Sequence, residues 1–255
     1  MKDTILKAHA AGRYALIPYI TSGYPSPAKF WDTLAEVDAA GADIIELGIP
    51  FSDPVADGPV IEAASRQALA DGVTLADTIR GLRERKGQFK AKIVLMGYAN
   101  PFVQYGLDKL SADCAEAGVC GFVIPDLPLE ETAEFREAFD AHGLSLITLV
   151  GQNTTYERML EYAPYTREYV YVVSVLGTTG SVNDHMEIIA DTMRRARKAF
   201  PDVALAVGFG LHHPDQLNAL PEDARPDAAI FGTALLRHIA AGHPVADFFH
   251  PWLGE

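Results

Sequence analysis

The chain has 255 residues, 49% of them hydrophobic, with a formal net charge of -13 and a pI near 5.0. That length suits one α/β barrel with a sizeable core, and the acidic balance disfavours nucleic acid or an anionic membrane as partner. No early apolar run has the flanks of a signal peptide, no segment is long enough to span a bilayer, and Cys114 and Cys120 make neither a metal set nor a disulfide framework, so a reducing, cytoplasmic setting is expected.

Apolar, β-rich runs recur at residues 15–20, 43–48, 92–97, 121–125, 145–150, 169–174, 203–209 and 228–232. Most are continuous rather than alternating, as in parallel strands buried on both faces. Helical patterns lie between them. One covers residues 30–39, with Pro27 near its start. Another spans 107–117 and is ended by Gly118; a third spans 130–141 and is ended by Gly143. A fourth, 185–200, carries Arg194, Arg195, Arg197 and Lys198 near its C-terminal end, where cations suit the helix dipole.

Repeated strand–helix units with right-handed crossovers give a parallel sheet, and about eight of them close a (β/α)8 TIM barrel. A single domain over 1–255 is expected. A doubly wound open sheet is the alternative, but it would usually have fewer strands and a G-x-G-x-x-G turn after the first. Thr21-Ser22-Gly23-Tyr24-Pro25 is no such turn. The longest gap follows the second strand and holds a proline-rich loop, 50–59, and extra helical material at 60–70 and 75–86.

Residues 43–59, D-I-I-E-L-G-I-P-F-S-D-P-V-A-D-G-P, combine a buried-strand run with that loop. Glu46 interrupts the apolar run, and a buried carboxylate must be paired or used. It reads either as an acid/base at the catalytic end of a barrel strand or as a structural carboxylate tied to a backbone or an arginine. Asp53 and Asp57, beside Pro and Gly, read singly as turn residues. Together with Glu46 they allow two carboxyl groups to face each other across a ligand.

Glycine clusters end three consecutive strands: Gly177-Thr178-Thr179-Gly180-Ser181, Gly208-Phe209-Gly210 and Gly232-Thr233. Glycine lets the backbone approach an anion, and barrels often bind phosphate after strands seven and eight. No Lys or Arg lies in 208–213 or 230–236, so N–H groups and hydroxyls such as Thr233 and Ser181 would hold it. No strand offers a deep lysine for a Schiff base, since Lys92 starts the third strand, and His212-His213 is a lone loop pair. Carbon–carbon chemistry here would be cofactor-free acid/base work.

The motif E-L-G-I-P-F-S-D-P-V-A-D-G-P, with P-Y-I-T-S-G-Y-P, M-G-Y-A-N-P-F, F-V-I-P-D-L-P-L-E-E, S-V-L-G-T-T-G-S and V-G-F-G in order, resembles the tryptophan synthase alpha subunit family over nearly the whole chain. The resemblance implies a (β/α) barrel lyase of tryptophan biosynthesis. It would cleave indole-3-glycerol phosphate to indole and glyceraldehyde 3-phosphate, in an αββα assembly. Pyridoxal phosphate would belong only to the partner beta subunit. Carried over by motif, Glu46 protonates indole C3 and handles the side-chain hydroxyl proton, and Asp57 takes or stabilises the N1 proton. Asp53 would face the beta subunit. Tyr19, Tyr98 and Tyr171 would lie in or near the indole pocket, with Tyr171 alternatively a core aromatic. Thr179 would sit on a mobile loop that closes on Asp57. Gly180, Gly210, Gly232 and Thr233 would cradle the phosphate.

Four departures from the family pattern stand out. Thr233 replaces a common serine and keeps the hydroxyl. Phe231 replaces a smaller residue and is expected to reshape the cradle's floor. His212-His213-Pro214 removes a Ser/Thr helix cap and brings titrating charge near the phosphate. Leu176-Gly177-Thr178-Thr179 alters the mobile loop. A free-standing lyase and a phosphate-binding regulatory subunit are the other readings, with a sugar-phosphate isomerase more distant.

Overall fold

Strands apolar on both faces need helices outside and their own side chains inside, which a closed parallel sheet supplies. The computed structural model describes residues 1–173, 182–208 and 210–254. Its parallel strands are β1 (Ala15–Thr21), β2 (Ile44–Gly48), β3 (Lys92–Met96), β4 (Val119–Val123), β5 (Ser145–Leu146), β6 (Thr148–Gly151), β7 (Tyr169–Val173), β8 (Ala204–Gly208) and β9 (Ala228–Phe231). They hydrogen-bond in the order β5-β4-β3-β2-β1-β9-β8-β7-β6. The two end strands are halves of one segment, parted only by Ile147, whose N–H donates to the Phe122 carbonyl at 2.9 Å. One half pairs with β4 and the other with β7, so the chain itself completes the ring. The expected fifth run is therefore two strands.

The helices are α1 (Lys2–Ala10), α2 (Pro27–Ala39), α3 (Pro59–Ala70), α4 (Leu75–Glu84), α5 (Ala99–Tyr105), α6 (Leu107–Ala117), α7 (Ala133–Asp140), α8 (Tyr156–Tyr162), α9 (Val182–Ala199), α10 (Asp215–Asn218), α11 (Thr233–Ala240) and α12 (Val245–Leu253). Pro27 starts α2 with its pre-set φ, and Gly118 stops α6 in the left-handed region at φ +89°. A capping box between Thr74 and Asp77 opens α4. The helix expected at 130–141 is split: a 3₁₀ turn, Leu129–Glu131, precedes α7, and the Thr132 hydroxyl bonds back to the Leu129 carbonyl at 2.7 Å. Local side-chain bonding of this kind competes with continuous helix.

Strand alternation sorts the core into two layers. Ile17, Ile44, Val94, Val123, Tyr169 and Ile230 meet inside the barrel, where α1 plugs one end with Ile5 and Ala8. Leu16, Ile45, Leu95, Phe122, Val170 and Leu205 face the helices. Two carboxylates brace the N-terminal ends of the strands. Asp43 accepts from Arg13 at 2.6 and 2.9 Å and from the Leu16 N–H at 2.9 Å. Asp227 accepts from Arg197 at 2.8 Å and from the Leu205 N–H at 2.7 Å. Each carboxylate joins an arginine to the backbone of an adjacent strand.

Candidate active site at the carboxyl ends of the strands

Ile44, Glu46 and Gly48 alternate with helix-facing Ile45 and Leu47, so Glu46 points into the barrel. It is fully buried. Its Oε1 accepts a hydrogen bond from the Tyr169 hydroxyl at 3.4 Å, and its Oε2 has no partner among the described residues. Burial pushes its pKa up to about 8, with the Tyr169 bond opposing. Such a group holds its proton at neutral pH and can still release it. The structural role that Glu46 could have played, tied to an arginine and a backbone, is filled instead by Asp43.

The loop after β2 turns its two aspartates in opposite directions. Asp57 is half-buried, and burial raises its pKa while the Tyr98 hydroxyl opposes the rise. Tyr98 anchors this loop: its hydroxyl accepts from the Ala56 N–H at 3.0 Å and its ring stacks on Phe51 at 5.1 Å. Asp53 is exposed, bonded to the Ser52 hydroxyl, two residues from Val55, which is 81% exposed. Glu46 and Asp57 thus belong to the barrel mouth, and Asp53 belongs to the outer rim.

Two more tyrosines line the mouth. Tyr19 is buried with its phenol against Gly48 and its Cβ against Gly232. A Cβ added at Gly48 would stand 2.0 Å from the Tyr19 hydroxyl, and one at Gly232 would stand 3.0 Å from the Tyr19 Cβ. Tyr171 lies over Gly208, where an added Cβ would stand 2.8 Å from its hydroxyl. Glycine ends these strands because the aromatic rings occupy the space. Burial raises the phenol pKa values of Tyr19, Tyr98 and Tyr171, so all three stay neutral hydrogen-bonding groups. Tyr169, which touches Glu46, was not singled out from the sequence. The signal was present in the i, i+2 spacing of Tyr169 and Tyr171, which places both on the inner face.

Gly232 precedes α11, whose first residue is Thr233 and which has no side-chain cap. Its first-turn N–H groups are therefore available to an anion. Gly210 adopts φ +78°, a backbone that glycine accepts most readily. Phe231 does not form the floor of this cradle. It points outward into α12, with ring centroids 5.2 Å from Phe248, 5.7 Å from Phe249 and 5.3 Å from Trp252. Its neighbours Ile230 and Gly232 take the inner face by strand alternation. The missing Ser/Thr cap after β8 is replaced by Gln216, whose Oε1 accepts from the N–H groups of His212 (2.8 Å) and His213 (3.1 Å). His213 turns its ring to Asp215 at 3.1 Å. Thr179, Gly180 and Ser181 lie outside the described residues. Among the described residues no three His, Cys, Asp or Glu side chains gather as a metal-ligand set, and no helix is long and apolar enough to cross a membrane.

Residues 5–246 match the family model described as tryptophan synthase alpha chain. The chain is 56% identical over 252 residues to the tryptophan synthase alpha chain of Desulfovibrio desulfuricans, covering 99% of this chain and 98% of that relative. Among solved structures it resembles tryptophan synthase subunit alpha of Legionella pneumophila (TM-score 0.83, 32% identity, 98% and 94% of the two chains). It also resembles a chain of the tryptophan synthase complex of Pyrococcus furiosus (TM-score 0.83, 31% identity, 95% and 99%).

Proposed function

The chain belongs to the tryptophan synthase alpha chain family, and from that premise we propose that Glu46 and Asp57 carry its reaction at the barrel mouth. The enzyme is a lyase of tryptophan biosynthesis that cleaves indole-3-glycerol phosphate to indole and glyceraldehyde 3-phosphate. It uses no cofactor of its own; pyridoxal phosphate belongs to the beta subunit, its partner.

The indole ring is aromatic, and the bond to its glycerol chain breaks only after C3 becomes tetrahedral. Asp57 draws on the N1 proton and pushes electron density towards C3. Glu46, neutral in its apolar site, gives its proton to C3. The resulting carboxylate then takes the proton of the adjacent side-chain hydroxyl. The carbon–carbon electrons return to the ring, Asp57 gives the N1 proton back to complete indole, and the chain leaves as the aldehyde. A group with a pKa of about 8 suits both halves of this exchange. Tyr19, Tyr98 and Tyr171 wall the indole, and Gly210, Gly232 and Thr233, joined by Gly180 from the loop after β7, hold the phosphate. By the family resemblance, Thr179 is the residue that would contact Asp57 during the reaction. Asp53, on the exposed rim, faces the beta subunit. The whole chain acts as one domain, and its free thiols at Cys114 and Cys120 suit the cytoplasm.

The observation that carries this reading is Glu46, fully buried on the inner face of β2, with one oxygen on Tyr169 and the other without a partner among the described residues. The test is indole release from indole-3-glycerol phosphate, with and without a beta subunit, by the native chain and by Glu46→Gln. Loss of general acid/base work predicts a fall in kcat on the order of a hundredfold or more. Near-native turnover by Glu46→Gln would remove the assignment. Weak activity that rises with the partner supports the subunit reading, whereas strong activity alone would favour a free-standing lyase.

A further inference from the structure

Two hydrogen-bonding capacities on the neighbouring strands β1 and β2 are unmatched among the described residues. Glu46 Oε2 has no partner among the described residues. The Tyr19 hydroxyl accepts from the Thr21 hydroxyl at 3.3 Å and donates to no described residue. Tyr19 and Glu46 are paired across β1 and β2, and the Tyr19 phenol leans over Gly48, the next inward residue of the Glu46 strand. Tyr171 leans the other way, over Gly208 on β8.

We propose that Tyr19 is a positioning residue: when Glu46 ionises, its carboxylate turns to take a second hydrogen bond, from the Tyr19 hydroxyl. This rests on the acid/base reading of Glu46. The neutral carboxyl needs little support, but the buried anion left after proton transfer to C3 needs donors, and Tyr169 supplies only one. Tyr19, the register partner of Glu46 on the neighbouring strand, supplies the second. The bond from Thr21 polarises the phenol and makes it a better donor. The titratable groups around Glu46 are Tyr19 from β1, Tyr169 and Tyr171 from β7, and Asp57 beyond them on the loop after β2. The inward residues Val94, Ala206 and Ile230 of β3, β8 and β9 carry no titrating group.

Tyr19→Phe keeps the ring and removes only the hydroxyl. Infrared difference spectra of the full chain give the carboxylic-acid band of Glu46, identified by its loss in Glu46→Gln, as a function of pH. Removing a donor to the charged form should raise the midpoint of that titration by about one pH unit, with a smaller change in Tyr171→Phe. Coincident midpoints for the native chain and Tyr19→Phe would overturn the proposal. An equal rise in Tyr171→Phe would also overturn it, because it would reflect lost polarity and not a bond from Tyr19. The spectra read protonation directly. A catalytically competent Glu46→Gln would therefore defeat the proposed mechanism without deciding this titration.

Discussion

Replacing Glu46 with glutamine keeps the shape of a fully buried side chain and removes its titration. In the folded protein the carboxyl releases its proton near pH 8, against 4.5 for an ordinary glutamate. Between those values the native chain keeps a proton that the unfolded chain has lost. Native stability therefore falls as pH rises through this window, by about 1.4 kcal/mol per pH unit from this one group. Below pH 4.5 both states are protonated and the group contributes nothing to the slope. The glutamine variant lacks this loss. Relative to the native chain it should gain about 3 kcal/mol between pH 4.5 and 7, and about 5 kcal/mol once pH exceeds 8. Urea unfolding of both proteins at pH 5, 7 and 8.5 measures the difference, provided the two share one m-value. Carboxylates whose pKa values are lowered in the fold, such as Asp113 and Glu168, cancel in the comparison. A stability difference that stays flat from pH 5 to 8.5 would refute the reasoning, since it would mean that Glu46 titrates normally.

Thr233→Ala removes a hydroxyl from the first residue of α11 and should raise KM more than it lowers kcat, as steady-state kinetics would show. Gly48→Ala forces the Tyr19 phenol to retreat by about 1.4 Å to reach an ordinary 3.4 Å contact. It should destabilise the fold by about 1–3 kcal/mol, and denaturant unfolding should show recovery with Tyr19→Leu but not with Tyr19→Phe, whose ring still overlaps. Asp43→Ala strands Arg13 and the Leu16 N–H at the far end of the barrel. A loss of about 3 kcal/mol with KM unchanged is expected, read from unfolding and kinetics on the same preparation.

Much of this protein was legible in one dimension because parallel barrels write their strands as continuous apolar runs. The lone carboxylate at position 46 stood out in such a run for the same reason, and the ordered motifs placed Glu46 and Asp57 in the right family. Local chemistry also fixed several boundaries, such as Pro27 at the start of α2 and Gly118 at the end of α6. The inward or outward direction of Phe231 was less evident. Its replacement of a smaller residue suggested a role in the cradle, yet the strand's alternation aims it at α12, an element the helical patterns had not included.

The sequence by itself determined the fold class and the family, and it singled out Glu46 as a carboxyl group inside an apolar strand, because periodicity and side-chain chemistry are local properties. Only the tertiary structure decided which carboxylate was bound to an arginine and which was buried with an oxygen that has no partner among the described residues. Asp43 and Glu46 are three residues apart, but one meets Arg13 at the base of the barrel and the other meets Tyr169 in its interior. Those partners are 30 and 123 residues away in the chain. Burial and long-range partners set a carboxyl's pKa, and both exist only once the ring has closed.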